Sequence, residues 1–78
     1  MANKTHLRIL RQGVNVWNTW RHNRSTVSPD LSGADLTRMD LSGANFANTN
    51  LNKANLTHAN LSGANMFGAS VDGAIGLA

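Results

Sequence analysis

An apolar residue returns at every fifth position between Leu31 and Val71, nine times without interruption. Five matches neither the period of an α-helix nor the twofold alternation of a β-strand. So regular a spacing in so short a chain predicts a repeat architecture, in which one small unit is stacked many times. The nine central residues are Leu31, Leu36, Leu41, Phe46, Leu51, Leu56, Leu61, Met66 and Val71.

Each position of the five-residue unit keeps its own chemical character. The residue before the central one is Asp or Asn in eight of the nine units, and the residue before that is small in most of them. We expect the small and central residues to face inward, and the Asp and Asn residues to lie outside or at corners. The last position is glycine in five units, at Gly33, Gly43, Gly63, Gly68 and Gly73.

This pattern resembles the pentapeptide repeat family, whose unit is alanine, then aspartate or asparagine, then leucine, then two variable residues. The resemblance covers residues 29–73. It implies an all-β solenoid, a right-handed β-helix of quadrilateral cross-section with four units in each coil. Nine units then make only about two coils. The family is found mostly in bacteria, and its members resemble one another in shape more than in activity.

A corner every five residues requires a backbone that turns sharply, and glycine or asparagine at a positive φ allows such a turn. The five glycines and Asn48 fit this requirement. Arg38, Lys53 and His58 occupy the same position without fitting it, because long side chains avoid a positive φ. We therefore expect the type of turn to differ between the sides of the coil.

The residues before the repeats have a helical period instead. From Lys4 to His22 the apolar residues recur at spacings of three and four, which predicts one amphipathic helix within residues 1–24. We expect this helix to cap the repeats through Leu10, Val14, Trp17 and Trp20. Residues 25–28 then form a linker, the repeats occupy 29–73, and residues 74–78 form an apolar tail.

Three interpretations of Trp17 and Trp20 remain open. Their rings cover the open top of the solenoid, where unpaired strand edges would otherwise promote aggregation. Alternatively, the helix binds an anionic membrane surface, since tryptophan with basic residues is typical of interfacial helices. The third interpretation is contact with nucleic acid. We favour the cap, and we expect neither a membrane nor nucleic acid to be the partner.

Charge is distributed unevenly along the chain. Residues 1–24 hold five of the seven Lys and Arg residues and no acid, whereas residues 25–78 hold two bases and four acids. This asymmetry favours a partner of opposite charge or self-association.

Mimicry of DNA to occupy a topoisomerase, the best understood activity of the family, requires a long acidic rod. The net charge of +3 and the short rod argue against that activity here.

No enzymatic constellation is present in the sequence. His6, His22 and His58 lack metal-ligand spacing, and there is no cysteine, so neither zinc nor any other cofactor is predicted. The serines and aspartates already have structural positions in the repeat. Because no long apolar run or signal peptide is present, we expect a cytoplasmic protein that is not an enzyme.

Two features predict a surface for a partner. Phe67 occupies an outward position of the repeat, where other units carry Ser, Thr, Asn, Ala or Asp, although a local shift of register could bury it. Ile75 and Leu77 lie in the apolar tail, which can plug the end of the rod or form a seam between copies. We therefore expect a non-enzymatic scaffold module that associates through its C-terminal end, with itself or with a larger assembly.

Overall fold

The computed structural model describes residues 1–77 and contains two short helices followed by the repeats. Helix α1 spans Lys4–Arg11 and helix α2 spans Val14–Asn23. The repeats pair through isolated parallel bridges, from Asp30 with Asn50 to Asn55 with Ile75, and through further backbone bonds such as Gly33 N–H to Asn52 C=O at 2.8 Å. Within the described residues, no longer strand and no continuous sheet is formed, so the predicted all-β solenoid is present only as a ladder of single bridges.

The single N-terminal helix expected from the sequence is divided in two. Asn3 begins α1, because its side-chain oxygen accepts from the backbone N–H groups of Thr5 and His6 at 2.9 and 3.1 Å. The helix ends at Gln12, and Gly13 follows with a φ of 118° that no helical residue adopts. Gly13 is therefore a break that reorients α2 against α1, rather than a tolerated glycine inside one helix.

The chain returns beside itself every twenty residues. Asp30 pairs in parallel with Asn50, Asp35 with Asn55, and the register continues down to Asn55 with Ile75. Each pairing uses two backbone bonds. For the first, Leu31 N–H donates to Asn50 C=O and Asn50 N–H donates to Pro29 C=O, both at 2.8 Å. Four five-residue sides therefore make one coil, with a first coil at 30–49, a second at 50–69 and the start of a third at 70–77.

All nine units turn in the same way, contrary to the expectation that Arg38, Lys53 and His58 would change the turn type. Their φ angles are 62°, 61° and 61°, close to the 69° to 74° of the repeat glycines. Each turn is closed by a bond such as Ala34 N–H to Leu31 C=O at 3.1 Å. A positive φ at the third residue alone defines a type II turn. The twenty-residue ladder imposes this geometry on every unit, whichever residue stands there.

The Asp and Asn residues before each central residue hold the turns locally. Asp30 Oδ1 accepts from the backbone N–H of Ser32 at 3.0 Å and from its hydroxyl at 2.7 Å. These bonds to Ser32 lower the pKa of Asp30, and the corresponding bonds from Thr37 and Ser42 lower the pKa of Asp35 and Asp40. The strong preference for Asp or Asn is thus explained by an acceptor that the turn requires.

The core is a column of single side chains, and these side chains become less buried towards the C-terminal end. Leu31, Leu36, Leu41, Phe46, Leu51 and Leu56 are completely buried, together with Ala44 and Ala54. Leu61 and Met66 are only partly buried, and Val71 is exposed. Six of the nine predicted core positions therefore provide the full burial, since the last three have no coil below them.

The three long side chains at positive φ give a first testable prediction. Replacing Arg38, Lys53 and His58 together by glycine is expected to stabilise the protein by about 1 kcal/mol or more, because a left-handed backbone strains any residue with a Cβ. Urea unfolding followed by circular dichroism measures the change. The matched control is Ala47→Gly, at a corner position with an ordinary φ, which should destabilise by about 0.5–1 kcal/mol. A triple variant less stable than the wild type would contradict the explanation.

Candidate functional site

The two helices lie over the upper end of the repeats, defined here as the free edge of the first coil, residues 30–49. Leu10 and Trp17 are completely buried, whereas Val14 and Trp20 are partly buried and pack against the same core. Trp17 packs at a tilted angle against Phe46, with ring centroids 5.8 Å apart, and against Trp20 at 5.2 Å, and Trp20 packs likewise against His6 at 4.9 Å. Four aromatic rings thus connect α1 through α2 to the column of core residues.

Side chains of the helices also satisfy backbone groups along this upper edge. Trp17 Nε1–H donates to Asn45 C=O at 2.8 Å, and Asn18 Oδ1 accepts from Asn45 N–H at 2.8 Å. The Asn18 amide donates to Gly43 C=O at 3.0 Å. Since an uncovered edge offers its free donors and acceptors to other chains, these bonds remove a template for aggregation.

Arg21 makes the most unusual of these contacts. Its side chain is only 5% exposed, and its guanidinium donates to Val27 C=O at 2.8 Å and to Ala47 C=O at 2.6 Å. Burial lowers the pKa of Arg21, and its buried Nε has no hydrogen-bond partner. One arginine therefore ties α2 to both the linker and the first coil.

The sequence pattern had suggested Trp17 and Trp20 but not the polar contacts. Asn18 falls on the polar side of the single predicted helix, and the break at Gly13 changes which residues face the repeats. Arg21 is one of five bases in the first 24 residues, and no feature of the sequence distinguishes it from exposed Arg24. Their roles follow from the orientation of α2 and not from hydropathy.

His6 makes the stability of this end sensitive to pH. Its Nδ1 accepts from the backbone N–H of Asp30 at 3.1 Å, which requires an unprotonated nitrogen. Burial lowers the pKa of His6, and the nearby Asp30 carboxylate partly offsets this. A lowered folded pKa means that the contribution of His6 is complete above the unfolded pKa of about 6.5 and is lost as the pH falls through the folded value.

We expect the urea midpoint to fall between pH 7 and pH 5, and the fall to be smaller in His6→Gln. The matched control is His22→Gln, because His22 is an exposed histidine on α2 and should leave the pH dependence unchanged. The lowered pKa values of the three aspartates act only in more acidic solution, below this window. A pH dependence unaltered by His6→Gln would assign the effect to another group.

The lower end, defined here as the free edge of residues 59–77, has no such cover in the described part of the chain. The N–H groups of Leu61, Met66 and Val71 and the C=O groups of Ala59, Ala64 and Ala69 make no hydrogen bond with residues 1–77. The corresponding groups one coil higher are all in the ladder; Phe46 N–H, for example, donates to Asn65 C=O at 2.8 Å. This edge is therefore ready to pair with a further strand.

The predicted partner residues lie around this lower end. Phe67 is 80% exposed, Ile75 55% and Leu77 40%, so the alternative of a shifted register that buries Phe67 is not what the structure has. They do not form one cluster, because Phe67 belongs to the fourth side of the coil and Ile75 begins the second. Val71, on the first side, lies between them in sequence and is also exposed.

The first residues of the tail continue the backbone pairing between coils, although the apolar tail was expected to leave the repeat. Leu56 N–H donates to Ile75 C=O, and Ile75 N–H donates to Ala54 C=O, so pairing extends past the predicted boundary at residue 73. The next central position is Gly76, which has a φ of 85° and lies against the backbone of Leu56 and Thr57. Since glycine has no side chain to fill the core, this unit contributes no central apolar residue. Ala78, the last residue of the predicted tail, lies outside the described residues.

Catalytic chemistry finds little support in this arrangement. Among residues 1–77, no three His, Cys, Asp or Glu side chains are placed to hold a metal ion. A cleft between α2 and the first coil lies beside Gly13 and is lined by Val14, Asn15, Asp40 and Ser42. That the protein is not an enzyme stays a prediction. Within the same residues, no helix has the length and apolar character needed to cross a bilayer.

Comparison with known proteins agrees with the pattern of the repeats. Residues 30–74 match pentapeptide repeats, in eight copies. No curated protein and no solved structure matches the chain at a significant level. Because the matched residues make up more than half of the 78, the chain belongs to the pentapeptide repeat family, and this membership suggests a protein-interaction module.

Proposed function

We propose that this protein is a non-enzymatic interaction module, built on a right-handed quadrilateral β-helix, that binds a protein partner through its lower end. The twenty-residue register and the single type of turn support the quadrilateral coil, and membership in the family supports its hand. The observation that carries the proposal is the difference between the two ends. Side chains of α2 bond the upper edge at Gly43, Asn45 and Ala47, whereas the lower edge has unpaired backbone groups within the described residues and exposed apolar side chains.

Exposed apolar side chains are concentrated at the lower end. Of the six large hydrophobic residues that are exposed, Phe67, Val71, Ile75 and Leu77 belong to the lower end. Only Met1 and Val16 belong to the N-terminal segment. An exposed apolar surface beside free strand donors and acceptors is a typical binding site for another polypeptide, since main-chain bonds give affinity and side chains give selectivity.

The charge of the lower end limits the kind of partner. Between residues 59 and 77 the only formally charged side chain is Asp72. A polyanion such as a nucleic acid or an acidic membrane would gain nothing there, because those ligands are held by Lys and Arg. Five of the seven Lys and Arg residues lie within residues 1–24, and Lys4, Arg8 and Arg11 among them are exposed along α1. A neutral, apolar protein surface therefore fits the lower end best.

Photo-cross-linking tests this function directly. The probe is benzoylphenylalanine placed at residue 67 or, as a matched control, at residue 16, which is an exposed apolar position on α2. In the producing cells, we expect residue 67 to give discrete protein adducts and residue 16 to give none of the same mass. Adducts of equal yield from both positions, or none from residue 67, would overturn the proposal. Mass spectrometry then identifies the adduct, whether it is this chain or another protein.

A further inference from the structure

We propose that the outer surface of the two helices binds an anionic lipid bilayer. This outer surface is the side of α1 and α2 that faces away from the coil, and Lys4, Arg8, Val16 and Thr19 form it. The inference concerns the opposite end of the molecule from the proposed function and does not depend on it. From the sequence, capping and membrane binding were alternatives for a single helix. The structure separates the two roles, because capping uses the inner sides of two helices and leaves the outer sides free.

Each helix has one side against the coil. In α1 Leu10 is completely buried, and in α2 Trp17 and Arg21 are buried. Residues on the opposite side of each helix therefore point away from the coil, since residues three or four positions apart share one side. The exposed residues on these outer sides are Lys4 and Arg8 in α1 and Val16 and Thr19 in α2.

Positive charge on the outer surface has no acid beside it within the helices, because residues 1–24 contain neither Asp nor Glu. A cleft along α1 is lined by Lys4, Leu7, Arg8 and Arg11. Arg11 is directed at the first coil, where it donates to Asp35 C=O at 3.4 Å. Lys4 and Arg8 are thus the cations that an external ligand would meet first. Lipid phosphate suits them, since each Lys or Arg close to an anionic membrane adds to the affinity.

An apolar groove accompanies these cations on the same outer surface. It lies on α2 and is lined by Asn15, Val16, Thr19 and Trp20. Val16 is 42% exposed, and the Trp20 ring is partly buried against His6 and Trp17. Helices that lie in a membrane interface combine such apolar side chains with basic ones. Because the apolar area is small, binding should be reversible and should require anionic lipid.

The same surface fits nucleic acid less well. Proteins that bind single strands stack the bases on exposed aromatic rings, whereas Trp17 is completely buried and Trp20 is covered on both sides by His6 and Trp17. A duplex is held by many phosphate contacts, and the outer surface presents two cations beside an apolar groove. The groove contributes nothing to phosphate contacts, but it matches the boundary between lipid headgroups and acyl chains.

Vesicle flotation tests the bilayer. We expect the full chain to float with phosphatidylcholine vesicles that contain about 30% phosphatidylglycerol, not to float with phosphatidylcholine alone, and to be released by about 0.5 M NaCl. Lys4→Gln with Arg8→Gln should weaken binding at least about tenfold, since each cation close to the surface contributes about fivefold. The matched control is Arg38→Gln with Lys53→Gln, which removes the same charge from exposed corners of the coil and should weaken binding less than about twofold.

Orientation is measured with single cysteines, since the chain has none of its own. An environment-sensitive fluorophore on Thr19→Cys, on the outer surface, should shift to the blue on anionic vesicles. The same fluorophore on Ser62→Cys, an exposed residue of the lower coil, should not shift. Circular dichroism verifies that all variants are folded, as the exposure of the substituted residues predicts.

Four results would overturn the proposal: no flotation, equal flotation with uncharged vesicles, equal loss of binding in the two double variants, or a blue shift at residue 62 and not at residue 19. If the chain retarded a short RNA or DNA and did not bind vesicles, and if Lys4→Gln with Arg8→Gln abolished that retardation, the outer surface would belong to nucleic acid instead. Cross-linking at residue 67 reports on the lower end, so the failure of either proposal leaves the other standing.

Discussion

Replacing Trp17 with alanine is expected to destabilise the protein by about 3–5 kcal/mol, the usual cost of deleting a large buried aromatic side chain. Trp17 is completely buried between Phe46 and Trp20, and its indole N–H donates to Asn45 C=O at 2.8 Å. The substitution thus removes the central ring of the stack and leaves an edge carbonyl without its donor. Total stability of small domains is typically about 5–15 kcal/mol, so most of the margin would be lost.

Urea unfolding followed by circular dichroism measures this loss. Trp17→Phe separates its two causes, because phenylalanine keeps a ring against Phe46 and removes only the hydrogen bond and part of the volume. We expect this variant to lose about 1–2 kcal/mol. Val16→Ala, at the exposed neighbouring position, should change stability by no more than about 0.5 kcal/mol. Equal stability of Trp17→Ala and Val16→Ala would show that α2 does not hold the coil together.

The column of buried central residues could be predicted from the sequence because it depends on a single property, the spacing of the apolar residues. An apolar residue every fifth position is compatible with burial only if the chain turns every five residues, and the bridges between residues twenty apart have this register. The preference for Asp or Asn before each central residue likewise has a local cause, the bond from Asp30 to Ser32 and its equivalents. Such short-range causes are visible in a single chain.

The turns and the helices could not be predicted fully because tertiary contacts decide them. Arg38, Lys53 and His58 adopt a positive φ against their own preference, since the ladder to the neighbouring coil fixes the backbone of each unit. The division of the N-terminal helix depends on Gly13, whose conformation is needed only because α2 must cross the coil. The contacts of Asn18 and Arg21 depend in turn on that division.

The distribution of Asp and Asn in the repeats also follows from the arrangement of the ends. Asp30, Asp35 and Asp40 belong to the first coil, beside the basic helices, and Arg11 lowers the pKa of Asp35 in addition to the bonds from Thr37. One coil lower, the residues paired with them are Asn50, Asn55 and Asn60. An asparagine supplies the same acceptor to the turn without stacking one carboxylate on another about 4.8 Å away, the usual distance between paired strands. Three of the four acids therefore lie in the first coil, and Asp72 is the exception in the third.

The variant Arg21→Met removes the guanidinium but keeps most of the apolar stem. We expect it to destabilise the protein by about 2–3 kcal/mol. Two effects oppose each other. The substitution relieves the cost of a buried charge whose Nε is unpaired, but it leaves the carbonyls of Val27 and Ala47 without their donors. The second effect dominates, because hydrogen bonds to a charged donor each contribute about 1.5–3 kcal/mol and both are lost together.

Arg21→Lys distinguishes geometry from charge. Lysine keeps the positive charge, but a single ammonium group cannot reproduce the planar fork that joins the linker to the first coil. We expect its stability to fall between those of the wild type and Arg21→Met in urea unfolding. Arg24→Ala is the matched control, because the exposed guanidinium of Arg24 donates to the adjacent Asn23 C=O, so its loss should change stability by no more than about 0.5 kcal/mol. If Arg21→Met proved more stable than the wild type, the cost of desolvating the buried charge would exceed the contribution of its two hydrogen bonds. The linker would then be held mainly by Pro29 and Leu31, which are buried in the first unit.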